Sequence, residues 1–126
     1  MRSVGRSHPR LDAHEKLRGQ AQFVGDLLVP RMLHGRVLRS PVAHARIVSI
    51  DTSAAERIPG VVCVLTGGDL SDIDPYFGHA IKDRPIVAID KVRFHGEPVA
   101  AVAAETPSAA AAGIEAIAVE RWKSVV

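Results

Sequence analysis

The chain has 126 residues, of which 47% are hydrophobic and 24% charged, and its net charge is +2. This is the size of one domain with the composition of a soluble globular protein, which excludes a disordered or fibrous chain. No apolar run approaches the ~20 residues needed to span a bilayer, and the basic N-terminus lacks an apolar segment behind it. We therefore predict neither a membrane protein nor a secretory leader, and we expect a cytoplasmic protein.

Positive charge is concentrated near the N-terminus. Residues 1–46 hold nine of the sixteen Lys and Arg residues but only three of the fourteen Asp and Glu residues. Residues 1–10 show no periodicity and predict a flexible basic leader, whereas residues 11–126 predict a single domain. Nucleic-acid binding is not favoured, because no aromatic platform, recognition-helix pattern or zinc spacing accompanies the arginines.

The first half of the chain is predicted to contain three strands and one short helix. Residues 11–26 mix charges with glycines and predict an extended arm or short strand that ends in a turn. Apolar runs between Pro and Gly breakers predict strands over residues 33–39, 46–51 and 61–66. Capping residues at positions 51–53 predict a helix near residues 53–58.

The second half carries the most regular pattern. Residues 71–84 give no period and predict a surface loop. Residues 99–104 are apolar at every position, which is typical of a strand covered on both faces. Thr106 and Pro107 form a helix start, a hydroxyl cap followed by a proline in the first turn. The remaining predicted elements are strands near residues 85–89, 92–95, 98–104 and 119–122 and a helix near residues 107–117.

This order of elements indicates the fold class. Strands and helices alternate, but several joins between strands are short enough for hairpins. The sequence therefore predicts a mixed α+β domain with two main helices rather than a doubly wound parallel sheet.

The residues with metal-binding or thiol chemistry do not form a recognisable site. A catalytic zinc needs three convergent ligands, and the histidines show no helical i, i+4 spacing, although His34 and His44 flank one connection. The single cysteine, Cys63, lies in the apolar run 61–66, which predicts a central strand, a buried side chain and an unreactive thiol. The six histidines are His8, His14, His34, His44, His79 and His95.

Two glycine turns are the remaining candidates for a ligand site. Neither Gly67-Gly68-Asp69 nor Gly96-Glu97-Pro98 has the spacing of a phosphate loop or a dinucleotide fingerprint. Glu97 is the best candidate for a general base, but a base needs a partner within hydrogen-bond reach and its sequence neighbours offer none. We therefore predict no catalytic, cofactor-binding or metal-binding residue in this chain.

An ordered set of short motifs resembles a known family. The chain is similar, over about residues 10–120, to the start of molybdenum-hydroxylase large subunits, the family of xanthine dehydrogenase, aldehyde oxidase and aerobic carbon monoxide dehydrogenase. The resemblance implies the α/β-hammerhead domain that opens such a subunit, with mostly antiparallel strands. The motifs are Arg10-x-Asp12, Lys16 through Gly19, Asp26 before the apolar turn, Leu33-His34-Gly35, Arg39-Ser40-Pro41, His44-Ala45-Arg46, Ile50-Asp51 leading to Pro59-Gly60-Val61, Gly96-Glu97-Pro98-Val99 and Glu105-Thr106.

The same resemblance implies a non-catalytic structural or assembly role. In that family the pterin-contacting loops and the catalytic glutamate lie in later sequence, so no site residue is carried over to this chain. The complete enzyme would use molybdopterin with molybdenum, and iron–sulfur and FAD groups would lie on partner domains or subunits. The implied partners are the remaining molybdopterin-binding part of the large subunit and the iron–sulfur and flavin subunits.

Some features depart from the family pattern and leave alternatives open. Residues 121–126 replace an aromatic-acid-x-Leu-Pro segment, which indicates a fragment or a split subunit, and residues 71–84 do not identify a substrate branch. One alternative is a freestanding binding module of the same fold without an oxidoreductase role. Another is a small independent enzyme based on His44, Glu97 and the glycine turns.

We also expect exposed apolar surface near residues 27–33, and self-association through it.

Overall fold

The computed structural model describes residues 4–120 and, through their backbone, residues 123–124. The chain forms two compact units, Met1–Pro30 and Arg31–Val126. The first unit contains helix α1 (Ala13–Leu17) and a 3-10 turn at Val24–Asp26. The extended arm predicted over residues 11–26 is therefore wrong at α1, where a Lys16 Nζ to Asp12 Oδ2 ion pair of 2.6 Å spans one helical turn.

The second unit is built from short strands and two helices. Its strand pairings among the described residues are all antiparallel, which confirms the predicted α+β class. None of the described helices has the length and hydrophobicity needed to cross a bilayer. The elements are β1 (His34–Arg39), β2 (Ala45–Arg46), β3 (Ser49–Asp51), α2 (Ser53–Glu56), β4 (Val61–Thr66), a 3-10 turn (Gly67–Leu70), β5 (Tyr76–Phe77), β6 (Arg84–Pro85), β7 (Lys91–Val92), β8 (Pro98–Ala104), α3 (Pro107–Ala116), β9 (Ala118–Glu120) and β10 (Lys123–Ser124).

The largest sheet has the strand order β1-β8-β4, so β8 is the central strand. The prediction that residues 61–66 form a central strand is wrong, because β4 lies at the sheet edge and its register shifts between Val61 and Cys63. Three smaller sheets have the orders β10-β2-β7, β3-β9 and β5-β6.

Helices α2 and α3 cover one face of this sheet. Because α3 lies very close to β8, a Cβ atom added at Gly113 would approach Val102 Cγ1 to 2.8 Å. The core is built from small aliphatic side chains in two clusters, as a composition poor in aromatic residues requires. One cluster contains Ala55, Ala100, Val102 and Ile117, and the other contains Ala45, Ala88, Val92 and Val99.

Several predicted strands are shorter than expected. The strand predicted over residues 46–51 is divided into β2 and β3, and those over 85–89 and 92–95 are reduced to β6 and β7. The physical reason is that residues 86–90 bond to different segments in turn: Ile86 N–H donates to Pro75 O (2.9 Å) and Ala88 N–H to Pro98 O (2.7 Å). Alternating partners prevent a continuous ladder. Of the strand predicted over 119–122, residues 119–120 lie in β9 and residues 121–122 lie outside the described residues.

The apolar segment before β1 is exposed. Leu28 is 83% exposed and Leu33 is 45% exposed. The expected exposure near residues 27–33 is therefore confirmed, while self-association through this segment stays a prediction.

Candidate functional site

Glu97 is the only buried carboxylate among the described residues, at 3% exposure. Its Oε2 accepts a hydrogen bond from the backbone N–H of Arg93. Its Oε1 lies 3.7 Å from Arg93 Nη1. A buried carboxylate tolerates its charge only when it is paired and hydrogen-bonded, and both oxygens of Glu97 have such contacts within the chain.

The backbone around Glu97 joins the end of β1 to the start of β8. Ser40 N–H donates to Glu97 O, Gly96 N–H donates to Ser40 O, and Arg39 Nη1 donates to Gly96 O, each at 2.9 Å. Gly96 has a φ of 87°, in the left-handed region that favours glycine. These contacts give the Gly96-Glu97-Pro98 turn a structural role.

The side chain of Ser40 contributes to the same junction. Ser40 is 2% exposed, and its Oγ donates to Val42 O (2.8 Å) while accepting from Val42 N–H (3.1 Å). Its hydroxyl is therefore fully engaged by the backbone and is not available as a nucleophile.

The Gly67-Gly68-Asp69 turn is also closed on itself. Thr66 donates its backbone N–H and its Oγ1–H to Asp69 Oδ2, both at 2.7 Å. These bonds, first the hydroxyl and then the amide, lower the pKa of Asp69 from its usual 3.8. A Cβ atom at Gly67 would lie 2.7 Å from Ala88 O, so close backbone packing requires glycine there.

The environment of Cys63 differs from the prediction. Cys63 is exposed on β4, so the expectation of a buried core thiol is wrong. The cause is that β4 lies at the sheet edge and that no described helix of the second unit covers the face of β4 that carries Cys63. Nothing in its surroundings activates the thiol, since no hydrogen bond or ion pair is made by its side chain among the described residues.

The histidines are not brought together with the other candidates. His34 is half-buried at the start of β1, whereas His44 is exposed before β2. No hydrogen bond or ion pair joins His44 to Glu97 in the part of the chain that the structure describes. Within those residues, no group of three or more His, Cys, Asp and Glu side chains has the geometry to hold a metal ion.

Residues 71–84, which give no sequence period, contain part of a small hairpin. Strand β5 pairs with β6, and Asp74 accepts from Tyr76 N–H (3.1 Å) and Lys82 Nζ (3.4 Å). The Tyr76 amide first, and then Lys82, lower the pKa of Asp74. The hairpin borders a depression of about 490 Å³ lined only by exposed residues, namely Phe77, Gly78, His79, Ile81, Asp83 and Arg84.

A second, smaller pocket of about 210 Å³ lies beside the Glu97 turn. Phe77 and Phe94 provide its aromatic walls, and Arg39 and Arg84 provide positive charge. Glu97 also lines this pocket, but its carboxylate already accepts a hydrogen bond from the backbone N–H of Arg93. This pocket therefore lacks a free base or nucleophile.

The family of the chain follows from comparison with known proteins. Residues 18–123 match the family described as aldehyde oxidase and xanthine dehydrogenase, a/b hammerhead domain. The chain belongs to this family. The hammerhead fold and the family predicted from the motif set are both confirmed.

Individual relatives show how much of a longer protein the hammerhead domain represents. The chain is 44% identical to a probable xanthine dehydrogenase subunit of Bacillus subtilis (strain 168), over 90% of this chain and 15% of that protein. It is 42% identical to the nicotinate dehydrogenase large molybdopterin subunit of Eubacterium barkeri, over 93% of this chain and 27% of that protein. The chain thus spans between about a seventh and a quarter of the length of these relatives.

A solved structure gives the same picture. The hammerhead domain superimposes on reconstituted CO dehydrogenase from Oligotropha carboxidovorans with a TM-score of 0.87 at 37% identity. The match covers 94% of this chain and 15% of the CO dehydrogenase chain.

Molybdopterin, which the Eubacterium barkeri relative carries in its name, needs several protein groups to hydrogen-bond its many polar atoms. Every buried side-chain N or O atom among the described residues already has a partner. The paired Glu97 and the engaged Ser40 hydroxyl illustrate this. The described residues therefore offer the cofactor no unpaired buried side-chain group.

Proposed function

We propose that the hammerhead domain is a non-catalytic structural and assembly part of a molybdopterin-dependent oxidoreductase. The observation that carries this proposal is the match to CO dehydrogenase, which includes 94% of this chain but 15% of the longer chain. A domain that repeats the fold of one segment of a much longer subunit is suited to pack against the rest of such a subunit.

The internal contacts support a scaffold role. The carboxylates at the two glycine turns are used within those turns: Glu97 accepts from Arg93, and Asp69 accepts from Thr66. Catalytic groups need unsatisfied, accessible functional atoms, whereas these groups are consumed in holding the turns. The chemistry of the enzyme would then take place on other polypeptide.

In the complete enzyme, molybdopterin with molybdenum would supply the oxidation or hydroxylation of a small substrate with oxygen from water. Electrons would pass to iron–sulfur and FAD groups on partner domains or subunits, in the cytoplasm. We propose that the basic N-terminal region and residues 71–84 contact the remaining large subunit or these partners. Exposed side chains in the hairpin, such as Tyr76 and Phe77, are available for that contact.

Metal analysis and co-purification test the proposal. We expect the purified chain to contain no molybdenum by mass spectrometry and to show no dye reduction with xanthine, nicotinate or carbon monoxide. Co-expressed with the molybdopterin-binding polypeptide of the same genome, the tagged chain should co-purify with it in a fixed ratio, and the complex should contain molybdenum.

Two results would contradict the proposal. Stoichiometric molybdenum on the isolated chain would assign the metal site to this domain. A chain that stays separate from the molybdopterin-binding polypeptide at every concentration would instead indicate the freestanding binding module.

A further inference from the structure

One face of the β1-β8-β4 sheet has no described helix of the second unit over it, and beyond the buried Val99 this face is open at Ala101 and Ala103. Two rows of paired residues cross this face from strand to strand, and they line a groove of about 470 Å³. We call these six residues the open face. They are Gly35, Ala103 and Cys63 in one row and Val37, Ala101 and Leu65 in the other.

The composition of the open face is that of a buried surface. None of its residues is charged, yet Val37 is 42% exposed and Cys63 is exposed. An antiparallel sheet with one face in water normally alternates apolar and polar residues, whereas strands covered on both faces are apolar throughout. Strand β8, with the sequence PVAAVAA, follows the second pattern. The sequence of this central strand is therefore suited to a cover on both faces.

We propose that the open face packs against an apolar surface of the molybdopterin-binding part of the large subunit. This inference rests on the proposed function. The length comparison supports this occupant, because the CO dehydrogenase chain of the same fold is covered only to 15%, so most of its polypeptide lies outside the domain. The six residues of the open face are apolar, as is typical of the core of a permanent interface, and the charged Arg36 borders them.

Charge at the groove disfavours a second copy of the chain as the occupant. Arg36 lines the groove and is exposed, and among the described residues no acidic side chain forms an ion pair with it. A two-fold contact would bring two Arg36 side chains to one groove, and like charges oppose such pairing. A different polypeptide can present an acidic group to Arg36 beside its apolar surface.

Cys63 provides a direct measurement, since it is the only cysteine of the chain and lies on the open face. Its reaction with 5,5′-dithiobis(2-nitrobenzoic acid) is followed in the isolated chain and in the complex with the molybdopterin-binding polypeptide of the same genome. We expect rapid reaction in the isolated chain and slowing by about tenfold or more in the complex, because thiol reactivity depends on access.

Each outcome of the labelling experiment has one meaning. A complex in which Cys63 reacts as fast as in the isolated chain overturns the inference and leaves the proposed function intact. Failure to form any complex overturns both. If Cys63 of the isolated chain reacts more slowly as the protein concentration rises, the open face binds a second copy of the chain. That result also overturns the inference.

A matched pair of lysine variants tests the face without using the thiol. Val37 and Val48 are exposed valines, but only Val37 belongs to the open face. We expect Val37→Lys to weaken the complex by about 100-fold, since a lysine charge would be desolvated there. Val48→Lys should leave the affinity unchanged, and circular dichroism should show both variants folded. Equal affinities for Val37→Lys and the original chain would overturn the inference.

Discussion

The described helices of the second unit cover one face of the β1-β8-β4 sheet but not the other, although successive residues of the same strands lie on opposite faces. On one face Val102 is 1% exposed and lies beneath α3, close to Gly113. On the other face the next residue of β8, Ala103, is half-buried, and its neighbours Gly35 and Cys63 are exposed. Neighbouring residues of one strand thus belong to a closed core and to an open surface.

The difference indicates that one face is covered by a helix of the domain itself, whereas the other is left for a separate polypeptide. The first face is closed by α3, which begins at Pro107, directly after β8 and its short connection. A local helix can cover the strand it follows without any distant sequence. The open face has no such helix among the described residues of the second unit. We infer that the covered face determines the stability of the domain and that the open face determines its assembly.

The largest expected effect comes from placing a charge on each face in turn. Val102→Lys buries an unpaired ammonium group beneath α3 and should cost about 4 kcal/mol or more of unfolding free energy, enough to unfold most of the chain. Ala103→Lys should cost about 1 kcal/mol or less, because the lysine stem can lie along the open face with its charge in water. Urea unfolding followed by circular dichroism measures both.

The same pair also distinguishes stability from assembly. Ala103→Lys should fold and yet bind the molybdopterin-binding polypeptide poorly. If Ala103→Lys instead destabilises the isolated chain as much as Val102→Lys does, the two faces are equally closed and the comparison is wrong.

A second pair compares glycines over the two faces. A Cβ atom at Gly113 would lie 2.8 Å from Val102 Cγ1, whereas nothing lies within 4 Å of a Cβ atom at Gly35. Gly113→Ala gains about 1 kcal/mol of helix propensity but overpacks the core, so we expect a net loss of about 1–2 kcal/mol. Gly35→Ala should change the unfolding free energy by about 0.5 kcal/mol or less.

Thermal unfolding of both glycine variants checks this prediction. Equal losses for Gly113→Ala and Gly35→Ala would mean that α3 does not approach β8 as closely as the distances indicate.

The sequence predicts the strong elements of the fold because their signals are local. Strand β8, with its unbroken apolar run, and α3, with Thr106 and Pro107 at its start, occur close to their predicted limits. The motif set also identifies the family. Strands β6 and β7 are shorter than predicted because the residues between them bond to different segments, such as Ile86 to Pro75 and Ala88 to Pro98, which local sequence does not indicate.

The position of Cys63 shows what local sequence cannot determine. An apolar strand can lie in the middle or at the edge of a sheet, because other parts of an assembly can cover both of its faces in either position. The strand order, which puts β4 at the edge, depends on pairing with β8 some forty residues away. For Glu97, the sequence indicates neither its burial nor its contacts with Arg93, because both depend on how the turn folds against β1.

Loss of the α3 cap should have a smaller effect than the core changes. Thr106 Oγ1 accepts a hydrogen bond from Ala109 N–H (3.1 Å) at the start of the helix that closes the covered face. Thr106→Ala should lower the unfolding free energy by about 1 kcal/mol, as for other N-cap removals. Thr106→Ser keeps the hydroxyl and should recover most of the loss in the same urea titration. An Ala variant as stable as the Ser variant would contradict the capping role.

The smallest effect belongs to neither face and is seen in the pH dependence of stability. Hydrogen bonds from Thr66 lower the pKa of Asp69 below its usual 3.8, so the folded chain holds this carboxylate in its charged form. A lowered pKa in the folded state gives stability at neutral pH that is lost as the pH falls through the unfolded and then the folded value. Asp69→Asn should therefore be less stable than the original chain at neutral pH, and the unfolding free energies of the two should converge as the pH falls below 3.8.

Glu115→Gln, a change of an exposed carboxylate on α3, serves as the control in thermal unfolding at several pH values. A difference between Asp69→Asn and the original chain that stays constant across this range would show that the turn depends on the shape of the Asp69 side chain and not on its charge.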